Sequence, residues 1–463
     1  MVFPVVGGDG KPTGYEIENS LRFWNGDYLK DTSFGTGTNR KKFTFSYWIK
    51  PTDLDTGGNP SLVYSNDSND HIGFDGDNKF IFADSGSIIL KTNRVFKDVS
   101  AWYHIVLAVD TTQGTAGNRY KLYVNGTQET SLETDAGISQ NTDLNFHNNE
   151  THSIGRNQND GTDFLYAYLS EFHAIDGQQL DASYFGETND NGVWVPKEYT
   201  GTYGNNGIFM EFKQSGTGQS SSSMGADTSG NDNHFVTVAL DATNQTTDTP
   251  TNNFATLNPL SEISTSVTFS EGNTKASIGN GSTNRTVGNM GFTSGKWYYE
   301  VKYISTSASA SYLEVGFVNT DISMRYHVRG SDGERWDNGS PSSSTSYRHD
   351  PGDIIGVYID ADNKKWYIQV NGSNEDVGNG TADVSAGTGF VHQNFAVTDF
   401  ILPYNANASG SGGHVYEVNF GNAPFSISSS NSDANGYGSF EYNPTNDGVD
   451  FYALCTKNLA EYG

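Results

Sequence analysis

Residues Ala101 to Gly126, AWYHIVLAVDTTQGTAGNRYKLYVNG, constrain this chain more than any other stretch. Tyr103, Ile105, Leu107 and Val109 share one side of an extended strand, and Trp102, Val106 and Ala108 share the other. A strand apolar on both sides belongs in the middle of a sheet that is covered on each face. The return segment alternates Tyr120, Leu122 and Val124 with Lys121, Tyr123 and Asn125, and Asn125-Gly126 is a turn signal. The design recurs at Gly352 to Gly372, where Ile355, Val357 and Ile359 run out and Trp366, Ile368 and Val370 return to a second Val-Asn-Gly. Two such hairpins imply two cores. Their flanking sequences do not recur, so they are a shared hairpin rather than a tandem repeat.

A length of 463 residues suits two domains of roughly 150 to 250 residues each. Hydrophobic content is low, at 34%, while aromatic content is 13%, so apolar burial has to come from Tyr, Phe and Trp on strands. Gly, Asn, Asp, Ser and Thr separate those strands with turns, and no stretch sustains helical periodicity. The expected fold is therefore all-β. DGQQLDASYFGE is the one segment expected to hold a helical turn.

The formal net charge of −27 disfavours nucleic acid and anionic membranes as partners. Arg40-Lys41-Lys42 is the only compact basic run and reads as a solvated strand edge. Cys455 is the only cysteine, which excludes an intrachain disulfide; it is expected as a small buried apolar side chain. Met1 to Gly8 lack the pattern of a secretory signal, and no apolar run approaches the length of a membrane span, so neither export nor membrane insertion is expected.

The segments FTFSYWIKP, WYHIVLAVD, LYVNG, SIGRN and YLSEFHAIDGQQL, in this order over roughly residues 15 to 186, resemble a laminin G-like, concanavalin A-like domain. GVWVPKEYTGTYGNNGIFMEF, GADTSGNDNHF and DTPTNNFATLNPL resemble the connecting segment of marine bacteriophage structural proteins in which such a domain precedes a SPRY domain. SGKWYYEVKYIS, YLEVGFVN, the second hairpin, FILPYNA and VNFGNAPF follow in the SPRY order. The resemblance implies two concanavalin A-like antiparallel β-sandwiches. The boundaries it suggests are an N-terminal arm at 1–14, the laminin G-like sandwich at 15–212, a polar connecting segment at 213–262, the SPRY sandwich at 263–427 and a C-terminal tail with aromatic anchors at 428–463. Within the connecting segment, Gln214 to Asn233 has so few apolar side chains that it is not expected to be held in a core, and fragments cut there are expected to fold.

The same resemblance implies a bacteriophage virion structural protein: a fibre, a tail appendage or a capsid decoration. It would be made in the host cytoplasm without a signal peptide, sit in the virion beside other virion proteins, associate with copies of itself, as in a trimer, and attach to a host-surface glycan or protein. Sandwich loops concentrate binding residues, and the contact group expected here is Arg325, Tyr326, His327, Arg335, Trp336, Tyr347 and His349, with Tyr404 as a neighbour. Aromatic rings beside polar groups suit stacking on sugar faces or peptide recognition. The same rings could instead pack on the domain's own core.

A glycan-degrading depolymerase is the competing reading, and it rests on fold alone. Glycosidases on such sandwiches place carboxylates at alternate strand positions so that two can flank the scissile bond. Glu16-Ile17-Glu18 is followed by Ser20 rather than a third acid, and Glu171 and Glu314 each stand alone on their strands. No zinc-type histidine spacing, Gly-x-Ser-x-Gly elbow or phosphate loop is present, so no catalytic residue is assigned and an enzyme is not expected. No cofactor is expected either, except that calcium could find oxygen ligands in the loops Asn66 to Asp70 and Asp75 to Asn78. Turn chemistry accounts for those residues equally well.

Overall fold

The computed structural model describes residues 14–31, 34–54, 58–261, 266–281, 284–338, 340–397, 399–408 and 412–463, with the side chain of residue 343 left aside. Most of the expected N-terminal arm, residues 1–13, lies outside the described residues. The fold class is the expected one, all-β with two antiparallel β-sandwich units that meet in sequence at Thr251 and Asn252.

In the first unit, one sheet runs in the spatial order Thr127–Glu129, Tyr120–Val124, Tyr103–Asp110, Lys42–Pro51, Ala167–Asp176, Ser20–Phe23 and Gln245–Thr246, and Ile208–Met210 also pairs with Ala167–Asp176. The facing sheet runs Leu132–Asp135, Ser87–Val95, Lys79–Asp84, His71–Phe74, Ser61–Asn66, His152–Ile154, Tyr28–Asp31 and Val236–Val238. Phe43, Phe45, Ile105, Leu107 and Val109 from the first sheet meet Tyr64, Ile72, Phe80 and Phe82 from the second. Val106, on the opposite side of its strand, is covered by Ile175, Leu180 and Phe185. Tyr103–Asp110 is thus a central strand covered on both faces, as its two-sided apolar pattern requires.

The polar segment 213–262 differs from expectation. Val236–Val238 and Gln245–Thr246 extend the two sheets of the first unit, and Met224, Phe235 and Leu240 enter its core. Asp227 holds the intervening polar run by accepting from the backbone N–H groups of Phe209, Ser229 and Asn233, each at 2.9 Å. Asp248 pairs with Lys50, both side chains fully buried. Hydrogen bonds and a few well-spaced apolar anchors therefore fix a stretch whose mean composition is that of a linker.

In the second unit, a sheet ordered Val267–Ser270, Lys275–Ile278, His414–Asn419, Lys296–Thr306, Ile354–Asp360, Lys365–Val370 and Ser373–Asn374 faces a six-stranded sheet. The latter is ordered Arg285–Val287, Ile401–Asn407, Leu313–Asn319, Arg325–Arg329, Arg335–Asp337 and Ser340–Ser343. Trp297, Tyr299, Val301, Val357 and Trp366 pack between them against Val315, Phe317 and Val328. Residues 428–463 are a third layer rather than a tail. Phe440, Phe451, Ala453 and Cys455 cover Tyr298, Tyr358 and Tyr367 on the outer face of the larger sheet, and the chain ends in the one α-helix among the described residues, Thr456–Tyr462. Cys455 is buried as expected, and burial pushes its thiol up to about 12.

Candidate functional site

The strand Leu313–Asn319, LEVGFVN, sends Leu313, Val315 and Phe317 into the core. By period two, Glu314, Gly316 and Val318 face outward. Its neighbours do likewise. Tyr326 and Val328 point inward while Arg325, His327 and Arg329 point outward, and Tyr404 lies outward with Val318, Leu402 and Ala406. The register Tyr404 to Gly316, Gly316 to His327 and His327 to Trp336 places these four residues in one row across four strands.

Gly316 is what lets that row close. A Cβ there would lie 2.1 Å from the Tyr326 carbonyl oxygen and 2.7 Å from the His327 Cα. Strands two apart are separated by about 10 Å, yet the His327 and Tyr404 rings lean over the glycine to 5.5 Å between centroids. On the other side of His327, the Trp336 ring is nearly parallel to it at 5.4 Å, and the Arg325 guanidinium lies 5.4 Å from the Trp336 centroid.

The next row carries charge. Glu314 sits between Arg329 and Ala406, and Ala406 pairs with Arg285. Burial would raise the Glu314 carboxyl, but His327, Arg329 and Arg325 outweigh it and hold the group below the usual range. The nearest approach of His327 to Glu314 is 3.3 Å from Nε2, and neither ring nitrogen has a hydrogen-bonding geometry. Arg329 is occupied, since its Nε and Nη2 donate to both oxygens of Asp332 at 2.9 and 2.6 Å and its Nη2 lies 2.7 Å from Glu334. Glu334 also accepts from Trp336 Nε1 at 3.0 Å, which fixes the indole. Burial, followed by Glu314, pushes the Tyr404 hydroxyl up to about 12 against the opposing pull of Arg325 and Arg285.

Of the eight expected contact residues, the fold brings Arg325, His327, Trp336 and Tyr404 together, and they stand on strands rather than loops. Only Arg325 and Trp336 are partly exposed, whereas His327 and Tyr404 are buried beneath the row. The other four correct the expectation. Tyr326 belongs to the core and stacks on Phe317. Arg335 points away from Trp336 and donates to the Val391 carbonyl at 3.0 Å. Tyr347 and His349 are a buried pair, 2.8 Å from hydroxyl to Nδ1, with His349 Nε2 3.1 Å from the Leu313 carbonyl oxygen. Glu314, Gly316, Arg285 and Arg329 were missed. The signal available was a glycine in the middle of an apolar strand, which marks close approach, with an acid two positions before it.

Glu171 has no acid at the alternate positions of its strand, Leu169 and His173, but it has other partners. It occupies a bulge in Ala167–Asp176 with a left-handed backbone, φ 44°, a conformation that costs on the order of 1–3 kcal/mol for a non-glycine residue. Its buried carboxylate accepts from the Tyr15 hydroxyl and lies 3.7 Å from His173 Nε2. His173 Nδ1 in turn is 3.0 Å from the Tyr203 hydroxyl, and its ring stacks on Phe209 at 4.3 Å.

The loops that offered oxygens for calcium use them internally. Asp70 accepts from the Ser85 and Asn145 backbone N–H groups at 2.9 and 2.7 Å, and burial pushes its carboxyl up to about 6. Asp75 accepts from the Asp77 and Lys79 N–H groups and pairs with Lys91 at 2.7 Å. Among the described residues no three His, Cys, Asp or Glu side chains converge as metal ligands would.

Residues 25–182 match the family model described as the concanavalin A-like lectin/glucanases superfamily. No curated protein sequence matches the chain. Solved structures similar to it include the SPRY domain of human HERC1, at 14% identity with a TM-score of 0.27, covering 33% of this chain and 91% of that one. A putative carbohydrate binding protein from Bacteroides ovatus is 16% identical with a TM-score of 0.34, covering 48% of this chain and 58% of that one. A native heptameric SAP-like pentraxin from Limulus polyphemus is 17% identical with a TM-score of 0.26, covering 36% and 80%.

Proposed function

We propose that this chain is a recognition protein that binds saccharide on the outer face of the six-stranded sheet and does so without catalysis. The observation that carries the reading is the row Tyr404, Gly316, His327 and Trp336, edged by Arg325. A partly exposed indole held by Glu334 offers a flat apolar surface, and the neighbouring guanidinium offers directed donors, the combination a pyranose with one apolar face and a polar rim requires. The concanavalin A-like family match covers residues 25–182, in the first unit, so the reading of this face rests on the row itself.

The setting we propose follows from the sequence resemblance: a virion component that holds several copies of the chain against other virion proteins and attaches the particle to a host surface. One small sheet face gives modest affinity, and linked copies multiply it. The test is glycan-array binding of the full chain beside its Trp336→Ala variant. Loss of the bound glycans with an unchanged melting temperature is the expected result. Unchanged binding by a folded variant would remove the assignment of this face.

Glycan cleavage stands as a second reading because of Glu171, whose strained backbone and hydrogen bond to Tyr15 beside His173 are features that cluster at functional sites. Release of reducing ends from host polysaccharide that disappears in Glu171→Gln would establish cleavage in place of simple retention.

A further inference from the structure

We infer that the saccharide recognised at the outer face of the six-stranded sheet carries a carboxylate, a uronic-acid-type unit seated between Arg285 and Arg325. The inference rests on the saccharide reading above and names the ligand class it leaves open.

The charge arrangement is the first reason. The chain as a whole carries −27, yet three arginines, Arg285, Arg325 and Arg329, stand on this one sheet face near Glu314. Arg329 is neutralised by Asp332 and Glu334. Neither Arg285 nor Arg325 has such an ion pair: the Arg285 Nε is buried without a hydrogen-bond partner, and Arg325, whose Cζ lies 5.4 Å from the Trp336 centroid, shares the Glu314 charge with His327 and Arg329. By register the two stand on either side of the Tyr404 row, Arg285 opposite Ala406 and Arg325 opposite Val318, and both pull the Tyr404 hydroxyl down.

Geometry supplies the second reason. A guanidinium is a planar fork matching the two oxygens of a carboxylate, and Arg325 presents it beside the Trp336 ring. The Trp336 indole alongside then meets the sugar ring that bears the carboxylate. A neutral sugar brings no charge to this face, whereas a uronate supplies one carboxylate for the two guanidiniums on either side of Tyr404 to share. In a strongly anionic protein no long-range field draws such a ligand in, so affinity has to come from these contacts, which buried aromatic neighbours strengthen by excluding water.

The test is isothermal titration calorimetry of the full chain with three probes: an oligouronate, the same oligosaccharide with its carboxyls reduced to alcohols, and a sulfated neutral oligosaccharide of equal length. The oligouronate should bind at least tenfold more tightly than either of the others. In Arg285→Ala/Arg325→Ala that preference should vanish. In Arg325→Lys, which keeps the charge and loses the fork, binding of the oligouronate should weaken several-fold with the melting temperature unchanged, and this variant decides the matter if the double variant fails to fold. Equal binding of the reduced sugar would overturn the carboxylate while leaving saccharide recognition intact. Equal binding of the sulfated probe would replace it with general anion binding. No binding of any probe would overturn the saccharide reading itself.

Discussion

Four buried histidines share one arrangement: Tyr64 with His152, Tyr203 with His173, Tyr303 with His414 and Tyr347 with His349 each bring a phenol hydroxyl to the imidazole Nδ1. In three of them the far nitrogen lies 3.0 to 3.1 Å from an acceptor oxygen, the backbone carbonyl of Asn148 or Leu313 or the side-chain Oδ1 of Asn407. An acceptor at Nε2 requires a proton there, so Nδ1 accepts from the tyrosine and the ring is held neutral. Burial lowers His349 and His414 to about 4 and His152 to about 3. These folded-state values lie below the unfolded value near 6.5. The stability they contribute is therefore fully present above about pH 6.5 and is lost as pH falls toward 4, on the order of 3 kcal/mol for His349 alone. Imidazole nitrogen shifts should report neutral His349 and His414 at pH 5; a charged ring there would refute the assignment. Tyr347→Phe should cost roughly 1–3 kcal/mol by leaving Nδ1 unsatisfied in the core, measured by denaturant unfolding. Sequence shows that Tyr347 and His349 are polar aromatics two apart, which fits a binding loop as well as a core pair. What separates the two readings is the Leu313 carbonyl on another strand, a contact 36 residues away that local pattern does not contain.

At the scale of elements, both hairpins were legible because period two survives in their sequences and their turns are Asn- and Gly-rich. The layer formed by residues 428–463 was not, because its anchors come singly between glycine, asparagine and serine. Its docking depends on a carboxylate in another strand. Glu300 is buried and accepts from the Glu441 and Tyr442 N–H groups at 3.1 and 2.7 Å, from Asn419 Nδ2 at 2.9 Å and from the Tyr298 hydroxyl at 2.9 Å. Burial raises its pKa in spite of these donors. Ending the chain after Ile427 would expose Tyr298, Tyr358 and Tyr367 and leave Glu300 without its two backbone donors. Burial of each large side chain is worth about 1.5–3 kcal/mol, and 1 kcal/mol moves the melting point by about 2–4 °C at this size. The shortened chain should thus melt at least roughly 10 °C lower and bind a hydrophobic dye in its native state. A melting point within 2 °C of the full chain, set against about 10 °C, would show that the layer is dispensable.

For the whole molecule, the division falls where composition gives no sign of it. The polar run from Gln214 to Asn233 looks like a spacer, but Met224 in its middle and Phe235 just beyond it are core residues of the first unit, and Asp227 ties its backbone to Phe209. By contrast the boundary at Thr251 and Asn252 lies inside DTPTNNFATLNPL, where Asp248 is buried in one unit and Phe254 and Ala255 are buried in the other. The first core draws on residues up to Leu240, and the second begins at Ala255. A fragment of residues 12–251 retains its whole core, both added strands and the Lys50 partner, and should give a single cooperative thermal transition. Residues 252–463 should do the same. A fragment ending near Gly218 loses Met224, Phe235 and Leu240 together with the edge strands they anchor, and leaves the Lys50 ammonium buried without Asp248. An uncompensated buried charge alone costs roughly 3–5 kcal/mol, which is comparable to the whole stability of many domains, about 5–15 kcal/mol. That shorter fragment should be insoluble or lack a cooperative transition. If instead it melts like 12–251, the segment beyond it is a spacer after all and the boundary belongs in the polar run.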